Sequence, residues 1–498
     1  MADDWKHAKR VVTEKQWIWF VAVIALLTRL PLIGASVAEN TDGILSLTYF
    51  SKDFVVTPRF VILPGYPLLL LLGHWLGMDG ILWGRCVSCL FGLFFLVPLW
   101  RYARRWMGAE MSAMVCLMAL FSPLLWQWSL KVMPDTTFLF LFWFSLERLT
   151  AAYLDRSPRA WIEACLTGVA AACVRPEGLL LLPWILVLEN QIANNQSWVR
   201  KIFFLISWAL PLFLIREKIF LLFSAYREGA GLGPQNMEEG FPFLNFVYHF
   251  YAYLSQPFYV FTPLIYLFAI LGLAKMLGRS DSLGQSFRKI QFQLYTVFFV
   301  SRLVPVTYQD RHMMPFLPIL IVAAGYQLET FFNGLRHPKD SMMHHLIKNG
   351  VLSLVLLYSA AFSSAAIGGQ SDSFGDVKRS AEFLKTLPAD AVIYSDELPK
   401  TDYWAGRTVL PLDYSQKPFI PLRGEYVILH SFYTPRINVV GQNMSARFKA
   451  VLIHSDNSTV VPVMTDLMQD FKLQNRVQAV SYRFDPQFFE SLVYRIDR

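Results

Sequence analysis

Four short stretches of the chain put ionisable residues beside long apolar runs: Ala38-Glu-Asn-Thr-Asp-Gly43, Lys131-Val-Met-Pro-Asp135, Arg175-Pro-Glu-Gly178 and Asp310-Arg-His312. A charge at the edge of a membrane span must be offset by partners or a wet cavity, so each stretch is a candidate site. A carboxylate such as Glu39, Asp42 or Asp135 can take a proton from an attacking hydroxyl. A guanidinium with a neighbouring imidazole, as in Arg311-His312, can neutralise a departing phosphate through charge-assisted hydrogen bonds. The two halves together suit transfer of a sugar from a lipid phosphate. A lipid-borne donor also accounts for a site at the bilayer surface, provided the four stretches share one face.

The elements that must position them are apolar helices. Hydrophobic residues make up 54% of the 498 and charged residues 16%, against about 25% charged in soluble proteins. Disorder and an ordinary soluble enzyme are both excluded. Runs close to the ~20 residues that cross a bilayer recur through the first three quarters of the chain. The expected spans are Trp17 to Ile33, Ile81 to Trp100, Met111 to Trp126, Asp135 to Tyr153, Ala160 to Val174 and Glu177 to Glu189. Ile202 to Phe223, Pro257 to Leu277, Phe292 to Tyr308, Met313 to Phe332 and Val351 to Ile367 complete a set of eleven.

Residues 1–367 hold 30 Lys and Arg against 22 Asp and Glu, while residues 368–498 hold 15 of each, so the net charge of +8 belongs to the apolar part. With the N-terminus inside, the inner loops carry 18 basic residues and the outer loops 8. That asymmetry predicts a cytoplasmic N-terminus and makes the basic charge a matter of topology, with no nucleic acid implied. All four ionisable stretches then fall on the outer face. Met1 to Gln16 is basic and leads into a long apolar run, so it reads as an anchor without a cleavable signal. The five cysteines all lie in apolar runs, Cys86-Val-Ser-Cys89 included, and read as packing residues with no disulfide framework.

Gly34 to Gly80 forms the first outer loop (34–80), with a helix over Gly43 to Phe54 lying in the interface and an apolar stretch broken at Pro64-Gly-Tyr-Pro67. Arg216 to Phe250, containing Gly229-Ala-Gly-Leu-Gly-Pro234, reads as a mobile loop. Residues 368–498 alternate a helical pattern over Ser371 to Thr386 with strand patterns at 391–395, 426–430, 450–454, 479–483 and 492–496. The expected architecture is a polytopic α-helical membrane domain over 1–367 and a small extracytoplasmic α/β domain over 368–498.

The order Arg29-Leu-Pro31, acidic residues in the first outer loop, Pro64-Gly-Tyr-Pro67, Gly84-Arg85 with Ser88, Pro134-Asp135, then Arg311-His312 with Pro315 and Pro318 resembles the C-type glycosyltransferase superfamily. The branch it most resembles is that of the protein O-mannosyltransferases and lipid A aminoarabinose transferases. The resemblance implies an inverting enzyme that moves a sugar from a polyprenyl-phosphate carrier to an acceptor hydroxyl on the extracytoplasmic face. It places the catalytic carboxylate at Asp42, substrate or metal positioning at Asp135, and donor phosphate binding at Arg311. Members of the family carry adjacent Asp-Glu in the first loop, whereas this chain has Asp42-Gly43 with Glu39 three residues earlier, so both carboxylates stand as candidate bases. His312 replaces an aromatic residue common after the arginine.

Each residue also has a plainer reading. Asp42 and Asp135 can cap helices, Arg175 and Glu177 can form an ion pair in a turn, and Arg311 can snorkel to headgroups. Two carboxylates and water could hold a divalent cation such as Mg or Mn, although no ligand spacing demands one. The expected partners are a polyprenyl-phosphate sugar, membrane lipids and an acceptor protein, lipid or glycan. The host membrane is expected to be a bacterial inner (plasma) membrane. The rival from another class is a transporter or flippase of the lipid-linked sugar, which would favour ionisable groups at the bilayer midplane and an internal repeat.

Overall fold

The computed structural model describes residues 13–34, 36, 38–39, 41–50, 62–192, 204–213, 250, 263–303, 310–335, 341–370, 375–395, 398–412, 424–430, 450–460 and 487–496. Arg216 to His249, His312 beyond its backbone, and residues 479–483 lie outside the described residues.

The membrane part is a helical bundle whose local sequence sets its starts and breaks. α1 (Glu14–Arg29) opens on a capping box in which Thr13 and Gln16 satisfy each other's backbone N–H groups. α2 (Thr41–Thr48) and α3 (Gly65–Trp75) lie in the 34–80 segment expected as the first outer loop. The interfacial helix is therefore shorter than expected: Phe50 falls beyond its end, and the Pro64-Gly-Tyr-Pro67 run starts a second helix. α4 (Gly80–Phe94) begins on Asp79, whose carboxylate accepts from Leu82 N at 2.8 Å. It continues into α5 (Leu96–Ala103) after a turn at Phe95, where Pro98 cannot donate to the carbonyl of Phe94.

The stretch expected as one span over Met111 to Trp126 is two helices, α6 (Ala109–Leu120) and α7 (Pro123–Ser129), bent by 60°. Pro123 forces Ser122 out of the helical region to ψ 130°. The long α8 (Asp135–Asp155) packs along α9 (Pro158–Val174) and against α4, α5 and α10 (Leu182–Ile192). Phe142, Trp143, Leu146 and Leu149 on α8 are fully buried. Three described helices are long and apolar enough to cross a membrane, Glu14–Leu32, Gly80–Ala103 and Met313–Asn333, and the bent α6–α7 pair makes a fourth if it is one span. Side chains such as Trp19 and Leu27 of α1 project from the protein surface without a protein partner face, the pattern of a lipid-facing helix.

After the 29-residue helix Met342–Gln370 comes a mixed five-stranded sheet in the order β2-β1-β3-β5-β4. Its strands are β1 (Ile393–Ser395), β2 (Leu410–Pro411), β3 (Tyr426–His430), β4 (Ala450–Val460) and β5 (Gln487–Ile496). β1 runs parallel to β2 and β3, and β5 runs antiparallel to β3 and β4. Along β3, Val427 and Leu429 enter one apolar cluster while Ile428 enters the other, the alternation a central strand requires. The second cluster is closed by the helices Gly375–Leu384 and Leu398–Ala405, and the latter also packs on α2.

Candidate active site

All four ionisable stretches meet where α2, the start of α8, the turn after α9 and the 3-10 turn Asp310–Phe316 come together. Asp42 lies in the first turn of α2 and pairs with the Arg311 guanidinium, 269 residues away in sequence. Asp135 is the first residue of α8, after Pro134, and its Oδ1 pairs with Arg175. Arg175 leaves α9 in an extended conformation and holds Glu177 with both arms of its fork, Nη2 at 3.1 Å and Nε at 3.3 Å. The plain reading of Arg175 and Glu177 as a local pair is thus correct, and the same guanidinium also reaches the site. Asp135 Oδ2 is buried with no hydrogen-bond partner among the described residues.

Glu39 is arranged differently. It is 0% exposed, and both oxygens are engaged: Oε1 accepts from Arg85 Nε at 2.5 Å and Oε2 from Val132 N at 2.8 Å. Arg85 in turn donates to the carbonyls of Ile33 at 3.2 Å and Ser36 at 2.8 Å. The clamp ties α4, the chain after α1 and the segment before α8 into one frame.

The Pro64-Gly-Tyr-Pro67 and Gly84-Arg85/Ser88 motifs belong to that frame. Tyr66 Oη lies 2.9 Å from Ser88 Oγ, Met133 N donates to the same oxygen at 3.3 Å, and Thr136 Oγ1 donates to the Ser88 carbonyl at 2.8 Å. Gly43 explains the departure from Asp-Glu. A Cβ there would sit 2.2 Å from the Val132 carbonyl oxygen, so α2 comes this close to Val132 only with glycine next to Asp42.

Two site residues had no mark in the sequence beyond their neighbourhood. Trp128, at the end of α7, has Arg311 over its ring at 5.9 Å and Lys131 over it at 5.8 Å, a cation–π arrangement on each side. Lys131 is itself buried. Trp128 braces the basic side of the site. Trp404 lies under the Lys378 ammonium in the C-terminal unit.

The frame therefore contains four carboxylates, Glu39, Asp42, Asp135 and Glu177, and four cations, Arg85, Arg175, Arg311 and Lys131. Burial works against the charges of Arg175 and Arg311, but the facing carboxylates more than offset it and hold both guanidinium protons more tightly than usual. The space lined by Asp135, Phe138, Arg175, Glu177, Phe298 and Arg311 is about 10 Å³, room for one water. Among the described residues no three His, Cys, Asp or Glu side chains gather around a point that could hold a metal. Both aspartates already face guanidinium groups, so this donor set does not fit a divalent cation.

Residues 59–217 match the sequence model of the dolichyl-phosphate-mannose-protein mannosyltransferase family. No curated protein sequence matches the chain. Among solved structures, ArnT from Cupriavidus metallidurans bound to undecaprenyl phosphate superposes with a TM-score of 0.55 at 13% identity, covering 97% of this chain and 98% of that one. Its apo form gives 0.54 at 13% identity over 96% and 98%. The Archaeoglobus fulgidus oligosaccharyltransferase in the apo form gives 0.54 at 10% identity, over 81% of this chain and 64% of that one. The chain thus has the overall fold of these structures, and the resemblance of its motif order to the protein O-mannosyltransferases agrees with the match of residues 59–217 to the mannosyltransferase family model.

Proposed function

We propose that the protein is an inverting, polyprenyl-phosphate-dependent glycosyltransferase acting on the extracytoplasmic face of a membrane. The observation that carries this reading is the pairing of Asp42 with Arg311 beside a small cavity that also holds the unpartnered oxygen of Asp135. Asp42, in contact with Arg311 and not fully buried, is the base. Glu39, with both oxygens engaged in the frame, is a positioning residue. In the reaction the acceptor oxygen attacks the anomeric carbon from the face opposite the phosphate, and its proton passes to the Asp42 carboxylate. The bond from the anomeric carbon to the phosphate oxygen breaks, and the electron pair leaves with the polyprenyl phosphate, whose charge Arg311 neutralises. Arg175, held by Glu177, steers Asp135 toward the sugar. His312 follows Arg311 and is assigned to the same phosphate.

The likeness to ArnT bound to undecaprenyl phosphate supports a polyprenyl-phosphate ligand. A neighbour solved with a dolichol-phosphate and an inhibitory peptide, the oligosaccharyltransferase AglB of Archaeoglobus fulgidus (TM-score 0.52, 11% identity, 84% of this chain and 69% of that one), supports the same class. The remaining assignments are a chain of eleven spans, a cytoplasmic N-terminus, an extracytoplasmic C-terminal α/β domain and residence in a bacterial inner membrane. The acceptor is a protein, lipid or glycan hydroxyl.

The test is release of radiolabelled sugar from a panel of polyprenyl-phosphate sugars by protein in lipid, comparing wild type with Asp42→Asn. Donor consumption that disappears in the variant supports the assignment. Donor that crosses the bilayer without being consumed overturns it in favour of a flippase.

A further inference from the structure

At the other end of α8 from the site, roughly 20 Å along the helix at 1.5 Å per residue, lies a second cavity. Its volume is about 450 Å³, and it is lined by Arg101, Phe144, Arg148, Ser157, Arg159 and Glu163, among others. Arg148 is anchored from behind by the fully buried Glu147 and from the side by Glu163 at 3.3 Å. Arg159 reaches Glu163 at 2.9 Å and is 89% exposed. Arg101 has no carboxylate partner among the described residues. Arg101 and Arg148 each stand over the Phe144 ring, both at 5.9 Å. The cavity wall thus carries more positive than negative charge, and among the described residues the Arg101 guanidinium meets a ring and no carboxylate.

What leads away from the cavity is apolar and open to the membrane. Leu90, Phe94 and Val97 lie at helical spacing on the α4–α5 face that ends at Arg101, and all three are exposed. On α9, Ile162 and Leu166 continue the face of Arg159 and are exposed as well. Between these walls a ladder of rings descends from the arginines: Phe144 to Phe140 at 5.8 Å, then Phe140 to Phe94 at 6.2 Å. A free anion has no use for such a wall. A lipid does, because its phosphate meets the arginines while its acyl chain lies along the rings.

We propose that this cavity binds the headgroup of an anionic phospholipid of the leaflet opposite the active site, with its phosphate between Arg101, Arg148 and Arg159 and an acyl chain along Phe144, Phe140 and Phe94. Basic pockets between membrane helices recognise such headgroups, each surface arginine contributing comparably to attraction. The assignment is independent of the reaction carried out at the other face.

The experiment is native mass spectrometry of the full chain, released from detergent, with phosphatidylglycerol, phosphatidylcholine or soluble glycerol phosphate. Wild type is expected to retain one phosphatidylglycerol in preference to phosphatidylcholine. The Arg101→Glu/Arg159→Glu variant, whose changes lie at exposed positions, is expected to lose that preference by about tenfold or more. If that variant folds poorly, Arg101→Gln serves in its place, and Phe144→Leu tests the ring without touching a charge; each should weaken retention. Undiminished retention by the variants overturns the site. Displacement of the lipid by equimolar glycerol phosphate overturns the lipid assignment, since a free phosphate would then be recognised as well.

Discussion

The two first-loop carboxylates should separate cleanly under isosteric substitution, because Glu39 holds the frame and Asp42 is the proposed base. Glu39→Gln keeps the shape of the side chain but turns one acceptor into an NH2 donor. That donor must face either the Arg85 Nε–H or the Val132 N–H, the two groups that Glu39 now satisfies at 2.5 and 2.8 Å. In either orientation Arg85 loses its counter-charge, and with the NH2 turned toward it its remaining partners among the described residues are the Ile33 and Ser36 carbonyls. Breaking a buried pair by removing one partner costs about 3–5 kcal/mol, and the two retained carbonyls put the expectation near the lower end. The Asp42–Arg311 pair is partly solvated, with side chains 16% and 12% exposed, so Asp42→Asn should cost only about 1 kcal/mol of stability. Loss of a general base lowers turnover by roughly 10²–10⁴-fold.

The assay is thermal unfolding of each variant in one lipid composition, paired with sugar transfer normalised to folded protein. Glu39→Gln should unfold several degrees early and keep transfer per folded molecule within a few-fold of wild type, and adding Arg85→Met should recover part of the lost stability. Asp42→Asn should unfold near wild type and be inactive. The reverse pattern, a stable but inactive Glu39→Gln beside an active Asp42→Asn, would refute the assignment.

Three further outcomes are expected. Gly43→Ala should destabilise the first loop by about 1–3 kcal/mol, since the added Cβ meets a backbone oxygen at 2.2 Å; unchanged unfolding and activity would contradict the close approach of α2 to Val132. Arg175→Lys keeps the charge but loses the fork that holds Glu177 and Asp135 together, so transfer should fall about tenfold or more with little change in unfolding temperature. His430 is buried in the C-terminal unit against Thr401, Ser491 and Lys400, and burial first, then the Lys400 charge, push its pKa down to about 3. The folded state therefore refuses a proton that the unfolded chain accepts below pH ~6.5. Stability should fall by about 1.4 kcal/mol per pH unit between there and pH ~3, with no contribution above. Unfolding of wild type and His430→Gln between pH 7 and 4 checks this, and equal slopes would count against it.

Much of the site could be read from residue order because its parts sit at helix ends, and helix ends are written locally. Pro134-Asp135 starts α8 and Arg175-Pro176 ends α9 by the chemistry of proline alone. The pairings could not be read in this way. Nothing near Asp42 in sequence names Arg311 as its partner, because the contact depends on how the 3-10 turn Asp310–Phe316 packs. Glu39 and Asp42 looked alike as candidate bases; only burial, which is a property of neighbours, tells them apart. Gly43 is a similar case, its reason being the backbone of Val132. In the C-terminal unit the alternating strands were legible, whereas the helix Leu398–Ala405 and the two-residue β2 are too short to leave a period.

The tight ion pairing around Asp42 bears on a hazard every sugar transferase faces, which is loss of the activated donor to water. The space beside the Asp42–Arg311 pair has room for about one water, so with the pair intact little solvent stands at the site. On the proposed reading, a phosphate that draws Arg311 toward itself parts the pair only as the donor lipid enters the cleft. Under that proposal the resting pair works as an interlock: the reagent that needs protection from hydrolysis is also the one that opens the site, and it fills the space that water would take.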